Sequence, residues 1–207
     1  MKIAVIGATR GIGLAMVQAA LADGHEVAAL ARIPDNMPIT HKCLHVIAGD
    51  ALERNAIAKV VKGQDVVCVC LGTAKVTQPI NLFSRCAENL VKVLKPEQLL
   101  IAVTGLGAGD SKGHCGFLYD HVFLPIVLRR IYDDKDRQES IIRGNLTRWI
   151  IIRPGFLNDG PRTGHYRTLT NLQGIHGGRI SRTDVADFML LQAKSPQFIG
   201  QTPMLIY

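Results

Sequence analysis

The stretch MKIAVIGATRGIGLAM, residues 1–16, decides the fold of this 207-residue chain. The apolar run Lys2–Ile6 predicts a short buried strand, and apolar residues recur at helical spacing over residues 11–23. Glycines fill the turn between the two segments in the pattern G-x-x-x-G-x-G. This strand–loop–helix unit predicts a helix N-terminus whose backbone N–H groups bind an anion such as a pyrophosphate. A tight turn that binds no ligand is the alternative interpretation.

The three glycines of this loop have separate predicted roles. Gly7 allows the tight turn that leaves the strand, Gly11 lets a phosphate approach the backbone, and Gly13 lets the helix pack on the sheet. The pattern differs from the G-x-G-x-x-G dinucleotide fingerprint but occurs in the same context. The candidate cofactor-binding residues of the loop are Gly7, Thr9, Arg10, Gly11, Ile12 and Gly13.

Strand-like and helical segments alternate along the rest of the chain. The further predicted strands are Glu26–Ala31, Leu44–Ala48, 65–71, 99–104, 149–152 (stopped by Arg153 and Pro154) and an edge strand at 203–207. The further predicted helices are 52–61, 80–94, 117–143 with an interruption at Pro125, and 183–193. Strands that are apolar on both faces favour a mostly parallel sheet with helices on both faces. We therefore expect one doubly wound, Rossmann-type α/β domain over residues 1–207, with a small substrate-side region at 153–181.

Composition excludes several classes of protein. Hydrophobic residues make up 47% and charged residues 20%, which is typical of a globular chain. The net charge of +7 comes from scattered basic residues, and no aromatic-interleaved basic patch predicts a nucleic acid partner. No apolar run reaches the ~20 residues of a membrane span, and Met1 leads straight into the first strand without a signal peptide. Five cysteines at no metal-like spacing predict a reduced, cytoplasmic protein without a metal site. We expect either a monomer or a homodimer.

Two arginines favour NADP(H) over NAD(H) as the cofactor. Arg10 lies in the glycine loop, where a guanidinium can meet a 2′-phosphate or the pyrophosphate. Arg32 directly follows the second predicted strand, where a site that prefers NAD often carries a carboxylate for the ribose hydroxyl. The first acid after that strand is Asp35. A solvated side chain at the strand end is the alternative for Arg32.

The ends of the third and fourth predicted strands add further candidates for cofactor binding. Asp50 follows the third strand, where it can bond the adenine amine, with Ala51 beside it. The N-cap of the following helix is an equally good interpretation of Asp50, and both can hold. Leu71, Gly72 and Thr73 end the fourth strand, and Gly72 would let the cofactor lie against the backbone.

Four segments together resemble a known family: GATRGIG, the Gly49-Asp50 pair, LGT at 71–73 and IRPGFLNDGPRTG at 152–164. They look like the atypical short-chain dehydrogenase/reductases, most of all the biliverdin IXβ reductase/flavin reductase group and its bacterial NAD(P)H-binding relatives. The resemblance covers essentially the whole chain. It implies a reductase that binds a nicotinamide cofactor in a pocket formed by Thr104, Gly105, Lys135, Pro154, Gly155 and Phe156.

The chain departs from this family at its acid–base residues. The main short-chain dehydrogenases use a Tyr-x-x-x-Lys pair as general acid, and neither Tyr119 nor Tyr132 has that spacing. Biliverdin reductase relatives carry a serine and a histidine where this chain has Gly105 and Phe156. These differences disfavour tetrapyrrole reduction. They are compatible with flavin reduction, because hydride transfer to a flavin depends mainly on positioning.

A glycine-rich insertion, GLGAGDSKGHCGF at 105–117, lies beside the expected nicotinamide pocket. Asp110, Ser111, Lys112 and His114 give it polar chemistry, so it is either a mobile lid or a surface loop without a chemical role. Lys135 precedes Glu139 by one helical turn, which suits an i,i+4 ion pair, but it also falls where relatives place a cationic group near the cofactor.

These features predict an NADPH-dependent reductase that transfers hydride to a flavin or a similar flat, conjugated small molecule. Its candidate catalytic residues are Thr104, Ser111, Lys135 and Phe156. A non-catalytic protein that senses NADP(H) is the alternative, because the missing Tyr-x-x-x-Lys pair fits both. A sugar-nucleotide epimerase is disfavoured, since too few residues follow the sixth predicted strand to build a substrate domain.

Overall fold

The computed structural model describes residues 1–74, 78–117 and 119–207. The strands are β1 Lys2–Ile6, β2 Glu26–Ala31, β3 Leu44–Ala48, β4 Val66–Val69, β5 Leu99–Val103, β6 Trp149–Pro154, β7 Phe156–Asn158, β8 Arg167–Leu169, β9 Arg179–Ser181 and β10 Met204–Ile206. The α-helices are α1 Gly11–Ala22, α2 Arg54–Val61, α3 Leu82–Val93, α4 Arg129–Asn145 and α5 Arg182–Lys194. Short 3-10 helices occur at Pro34–Asn36 and Gly109–Ser111, and a π-helical segment occupies Tyr119–Leu128.

The strands form an eight-stranded sheet in the order β3-β2-β1-β4-β5-β6-β10-β8, and β7 pairs with β9 beside it. Strand β1 lies parallel to both β2 and β4, so the strand order reverses between β1 and β4. In open α/β sheets, ligands bind at the carboxyl ends of the strands at such a reversal. The predicted doubly wound α/β fold is confirmed, and it places the glycine loop at this point.

Helices cover both faces of the sheet because side chains alternate along each buried strand. On one face, Ile3 and Val5 pack against α1 and α5 through residues such as Met16 and Met189. On the other face, Ala4 and Ile6 join the core formed by α2, α3 and α4. Both faces of β1 are therefore buried, as its continuous apolar run predicts. Within the described ranges, no helix is both long and apolar enough to cross a membrane.

The C-terminal half differs from the prediction in its strands. Strand β10 is not an edge strand, because it lies parallel to β6 and antiparallel to β8, which forms the edge. Strand β6 continues through Arg153 and Pro154. The N–H groups of Arg153 and Gly155 donate to the carbonyl oxygens of Pro203 and Leu205 respectively. Pro154 has no N–H to donate, but the hydrogen bonds to the β10 side come from the residues before and after it. The three-residue strands β7, β8 and β9 were not predicted, since each includes a polar residue and lacks the continuous apolar run of β10.

The helix boundaries shift by a few residues from those predicted. Helix α2 begins at Arg54, two residues later than expected. The predicted helix 117–143 consists of the π-helical segment Tyr119–Leu128 followed directly by α4, which ends at Asn145. Leu118 of that prediction lies outside the described residues. No break separates the two segments, and the helix type changes between Leu128 and Arg129, three residues after the interruption predicted at Pro125.

Candidate cofactor and active site

The glycine loop after β1 is shaped by two close backbone approaches. Gly7 has φ +87°, and a Cβ there would lie 2.6 Å from the carbonyl oxygen of Cys70 at the end of β4. A Cβ on Gly13 would overlap the carbonyl oxygen of Gly7, so α1 packs against the turn without space for a side chain. Only glycine fits at either position. These contacts hold the N-terminus of α1 at the point where the strand order reverses.

The N-terminus of α1 is open to an anion. Gly11 is exposed with φ +57°, and in the described structure no side chain caps this helix end. Arg10 occupies the N-cap position in an extended conformation with its side chain exposed. The first turn of α1 carries no acidic residue that would repel a phosphate. The free N–H groups, the helix dipole and the glycine loop fit the pyrophosphate of a dinucleotide.

The candidates that follow β2, β3 and β4 lie along the same edge of the sheet. Arg32 is exposed at the end of β2. Asp50 accepts a hydrogen bond from the Leu52 N–H at 2.9 Å, in a turn that precedes α2, and Glu53 takes the N-cap position instead. Ala51 is buried. After β4, Leu71 and Thr73 are partly buried and Gly72 is exposed.

Lys135 and Thr104 meet at the carboxyl end of β5. The Lys135 ammonium on α4 donates a hydrogen bond to the backbone carbonyl oxygen of Thr104. A Cβ on the neighbouring Gly105 would lie 3.3 Å from the Lys135 Nζ and 3.2 Å from the Tyr132 hydroxyl. The Tyr132 and Lys135 side chains therefore occupy the space beside Gly105.

Burial sets the protonation of Lys135 and Tyr132. Burial lowers the pKa of Lys135 to about 8, although the nearby Glu139 carboxylate opposes the shift. The Nζ atom also lies 5.7 Å from the ring centre of Phe83 and 5.1 Å from that of Tyr132, which favours its charged form. Burial raises the pKa of the Tyr132 hydroxyl, which donates to the Leu106 carbonyl oxygen at 2.9 Å. Lys135 is therefore the group of this pair that titrates near neutral pH.

Glu139 is not the simple helical partner of Lys135. Its carboxylate accepts two hydrogen bonds from Arg153, at 3.1 and 2.6 Å, and a third from the Thr104 hydroxyl at 2.7 Å. Arg153 also donates to Asp110 in the 105–117 loop. Arg153 was not among the predicted site residues. Its signal was a charged residue in the otherwise apolar run WIIIRP, because such a residue is buried only when it is paired.

The 105–117 loop is anchored rather than free. Leu106 and Ala108 are buried, and the Gly109 N–H donates to Asp136 at 2.7 Å. Ser111 is fully buried, and its hydroxyl donates to the Ala108 carbonyl oxygen and accepts from the Gly107 N–H. This placement argues against the predicted catalytic role of Ser111, since its hydroxyl closes the loop and does not face solvent. The polar residues Lys112 and His114 contact Asp136 and the Ile175 carbonyl oxygen respectively.

Phe156 marks a groove on the other side of the site. This residue is 43% exposed, and its ring packs edge-on against Tyr119, with 4.8 Å between ring centres. The groove is lined by Phe156, Leu157, Asn158, Gly178 and Arg179. Pro154 and Gly155 are buried behind it. A Cβ on Gly155 would lie 2.5 Å from the Gly178 carbonyl oxygen, so this glycine serves the close approach of β9.

The sequence model of a family described as NAD(P)H-binding matches residues 7–196. The chain belongs to this NAD(P)H-binding family. The matched residues include the glycine loop from Gly7, the N-terminus of α1, and Thr104 with its contact Lys135.

Solved structures of other proteins share this fold over the full length of the chain. ChuY of Escherichia coli O157:H7, described as an anaerobillin reductase, is 26% identical with a TM-score of 0.81, covering 100% of this chain and 97% of that one. A putative NADH-flavin reductase of Streptococcus pneumoniae is 24% identical with a TM-score of 0.76, covering 100% and 99%. These neighbours confirm the predicted resemblance to the atypical biliverdin and flavin reductase group. They favour an NAD(P)H-dependent oxidoreductase.

A curated relative matches a shorter part of the NAD(P)H-binding chain. Protein TIC 62 of Arabidopsis thaliana, a chloroplastic protein, is 23% identical over 164 residues, covering 74% of this chain and 24% of that protein. The chain therefore spans about a quarter of the length of this relative.

The motif IRPGFLNDGPRTG, which carried much of the resemblance to NAD(P)H-binding reductases, is explained by Asp184 on α5. The buried Asp184 carboxylate accepts hydrogen bonds from the N–H groups of Thr163 and Gly164 and from the Tyr207 hydroxyl. Burial alone would raise the pKa of Asp184, but these hydrogen bonds together hold it below its usual value. The threonine and glycine of the motif therefore fix the loop after β7 to α5. Asp184 was not among the predicted site residues, because it lies outside the motif.

Proposed function

We propose that this chain is an NADPH-dependent reductase that passes hydride to a flavin or a similar flat, conjugated acceptor. One observation carries the proposal: side chains from Lys135 to Phe156 form a continuous wall at the carboxyl ends of β5 and β6. The Lys135 Nζ lies 5.1 Å from the Tyr132 ring centre, Tyr132 interacts with Tyr119, and Tyr119 packs on Phe156. These side chains and the glycine loop both follow the carboxyl ends of parallel strands, which supports an acceptor ring stacked there beside a bound nicotinamide.

Charge near the loop supports NADP(H) as the preferred cofactor. Arg10 and Arg32 follow the adjacent strands β1 and β2, and both side chains are exposed. In the described residues, neither guanidinium is held in an ion pair, so both are available to a phosphate. The end of β2 carries no carboxylate before Asp35 that would favour the unmodified ribose of NAD.

The bound cofactor supplies the hydride, and the chain supplies position and charge. The backbone around Thr104 and Gly105 on one side, and Phe156 on the other, would confine a flat acceptor. Lys135, with a pKa of about 8, is charged at neutral pH. Its ammonium stabilises the negative charge that the acceptor gains with the hydride, and it can donate the proton that completes a two-electron reduction.

The region 153–181 forms the acceptor side of this proposed site. Phe156 offers an exposed aromatic ring for stacking, and Arg179 in the same groove suits an acceptor with an acidic substituent. Flavin mononucleotide combines a flat ring system with such a group. A bilin, the class of substrate named for the ChuY relative, is the second acceptor to test.

The proposal is tested by following the loss of NADPH absorbance after addition of FMN, FAD, a quinone or a bilin. We expect turnover with at least one of these acceptors and a lower KM for NADPH than for NADH. Lys135→Met is the matched variant, which should bind NADPH but reduce the acceptor more slowly. Tight NADPH binding without turnover of any acceptor would favour the alternative, a protein that senses the cofactor.

A further inference from the structure

Arg182 lies over the glycine loop, although it is far from it in the sequence. It is the first residue of α5, which packs beside α1 on the same face of the sheet. Its Cδ and Nε atoms lie 3.7 and 3.8 Å from the position that a Cβ of Gly11 would take. The two helices therefore begin side by side, and the Arg182 side chain reaches along the end of α1 that is open to an anion.

Arg182 forms a weak, exposed ion pair with Asp159. The guanidinium donates to the Asp159 carboxylate at 2.7 Å, and the Asp159 side chain is 89% exposed. Exposed ion pairs contribute little to stability, because water and salt compete with them. The Asp159 carboxylate thus lies beside the position where a phosphate is expected. A phosphate could replace it as the partner of Arg182 at low energetic cost.

We propose that Arg182 binds the pyrophosphate of the cofactor, exchanging Asp159 for phosphate oxygens. The inference rests on the proposed function, in which the loop around Gly11 binds NAD(P)H. A planar guanidinium can bond two phosphate oxygens at once, and the dipoles of α1 and α5 add positive potential at the same point. The pyrophosphate is common to both cofactors, so Arg182 contributes to the binding of NADH and NADPH alike. It differs in this from Arg32, which is expected to bind the 2′-phosphate of NADPH alone.

The test compares the two halves of the Arg182–Asp159 pair. Arg182→Gln and Asp159→Asn both remove the ion pair, but only the first removes the proposed phosphate ligand. Dissociation constants for NADPH and NADH are measured by fluorescence titration, and melting temperatures check the fold of each variant. Arg162→Gln is the matched control, since Arg162 is an exposed arginine of the same region that pairs with Asp187 at 2.7 Å.

We expect Arg182→Gln to weaken the binding of both cofactors by about 10- to 100-fold, the range for one charged hydrogen-bonding group. Asp159→Asn should leave binding unchanged or tighter, because a competing carboxylate is gone, and Arg162→Gln should leave it unchanged. Binding by Arg182→Gln as tight as wild type would overturn the role of Arg182 and leave the proposed function intact. An equal loss in Asp159→Asn would also overturn it, by showing that the ion pair acts through structure. A wild-type protein that binds neither cofactor would overturn both proposals.

Discussion

The guanidinium of Arg153 binds both carboxylate oxygens of Glu139 in the interior of the protein, at 3.1 and 2.6 Å. Only 1% of the arginine side chain and 3% of the glutamate side chain are exposed. The Thr104 hydroxyl donates a further bond to Glu139, and the Thr104 carbonyl oxygen accepts from Lys135. The pair therefore fixes the frame that holds Lys135 in the proposed active site.

Glu139→Gln should destabilise the protein by about 3–5 kcal/mol, because it leaves a buried guanidinium without its main counter-charge. The free energy of unfolding is measured by urea denaturation. Asp133→Asn is the control, since Asp133 forms an exposed pair with Arg129 at 3.7 Å and its loss should cost about 0.5 kcal/mol or less. Equal effects of the two substitutions would show that burial does not strengthen the Arg153–Glu139 pair.

The rate of acceptor reduction should fall as pH rises through about 8, the pKa of Lys135. Because burial lowers this pKa, the amine is charged below that pH and neutral above it, and only the charged form can stabilise the reduced acceptor. The measurement is kcat as a function of pH. Lys135→Met should lower kcat and remove this decline. Lys112→Met, which changes an exposed lysine paired with Asp136, should retain it. A decline that survives in Lys135→Met would assign it to another group.

Arg32→Ala should weaken NADPH binding by roughly 1.5–3 kcal/mol, the range for a hydrogen bond to a charged group. NADH binding should stay nearly the same, because NADH lacks the 2′-phosphate. Isothermal titration with each cofactor measures both effects. Equal losses for the two cofactors would show that Arg32 does not distinguish them.

Gly13→Val should abolish the binding of both cofactors. Its side chain would overlap the Gly7 carbonyl oxygen, so α1 could no longer present its N-terminus to the pyrophosphate. Gly144→Ala is the control, since it lies in α4 with nothing within 4 Å of its Cβ position. That substitution should leave binding unchanged and stabilise the helix by up to about 1 kcal/mol. Tight binding by a folded Gly13→Val protein would contradict the assignment of the loop.

Phe156→Ala should raise the KM for the acceptor, with a smaller effect on kcat, because it removes a stacking surface that serves the ground state and the transition state alike. Tyr119→Phe and Tyr132→Phe should each keep kcat within about tenfold, since general acid catalysis is worth ~10²–10⁴-fold and neither tyrosine supplies it. Steady-state kinetics on the variants decide this. Loss of turnover in Tyr132→Phe with NADPH still bound would instead make Tyr132 and Lys135 an acid pair acting on a carbonyl.

The sequence determined the strand–loop–helix unit of residues 1–16 and the order of the main strands. Those signals are local: an apolar run buries a strand, helical spacing gives α1 its inward face, and the glycines of the loop have no side chains to obstruct its turn. Gly7 and Gly13 could be assigned to tight backbone approaches on this basis, and the structure has both approaches. The short strands β7, β8 and β9 carried no such signal, because each includes a polar residue and three residues are too few to show a period.

Only the tertiary structure decided which charged groups meet. A helical spacing of four suggested Lys135 as the partner of Glu139, but burial of Glu139 requires stronger compensation, and Arg153 on β6 provides it with two hydrogen bonds. Arg182 reaches Gly11 only because α5 packs beside α1. Charged groups far apart in the sequence become partners when packing of the core brings their surfaces together and excludes water between them. Neither the packing nor the exclusion of water can be predicted from the spacing of residues along the chain.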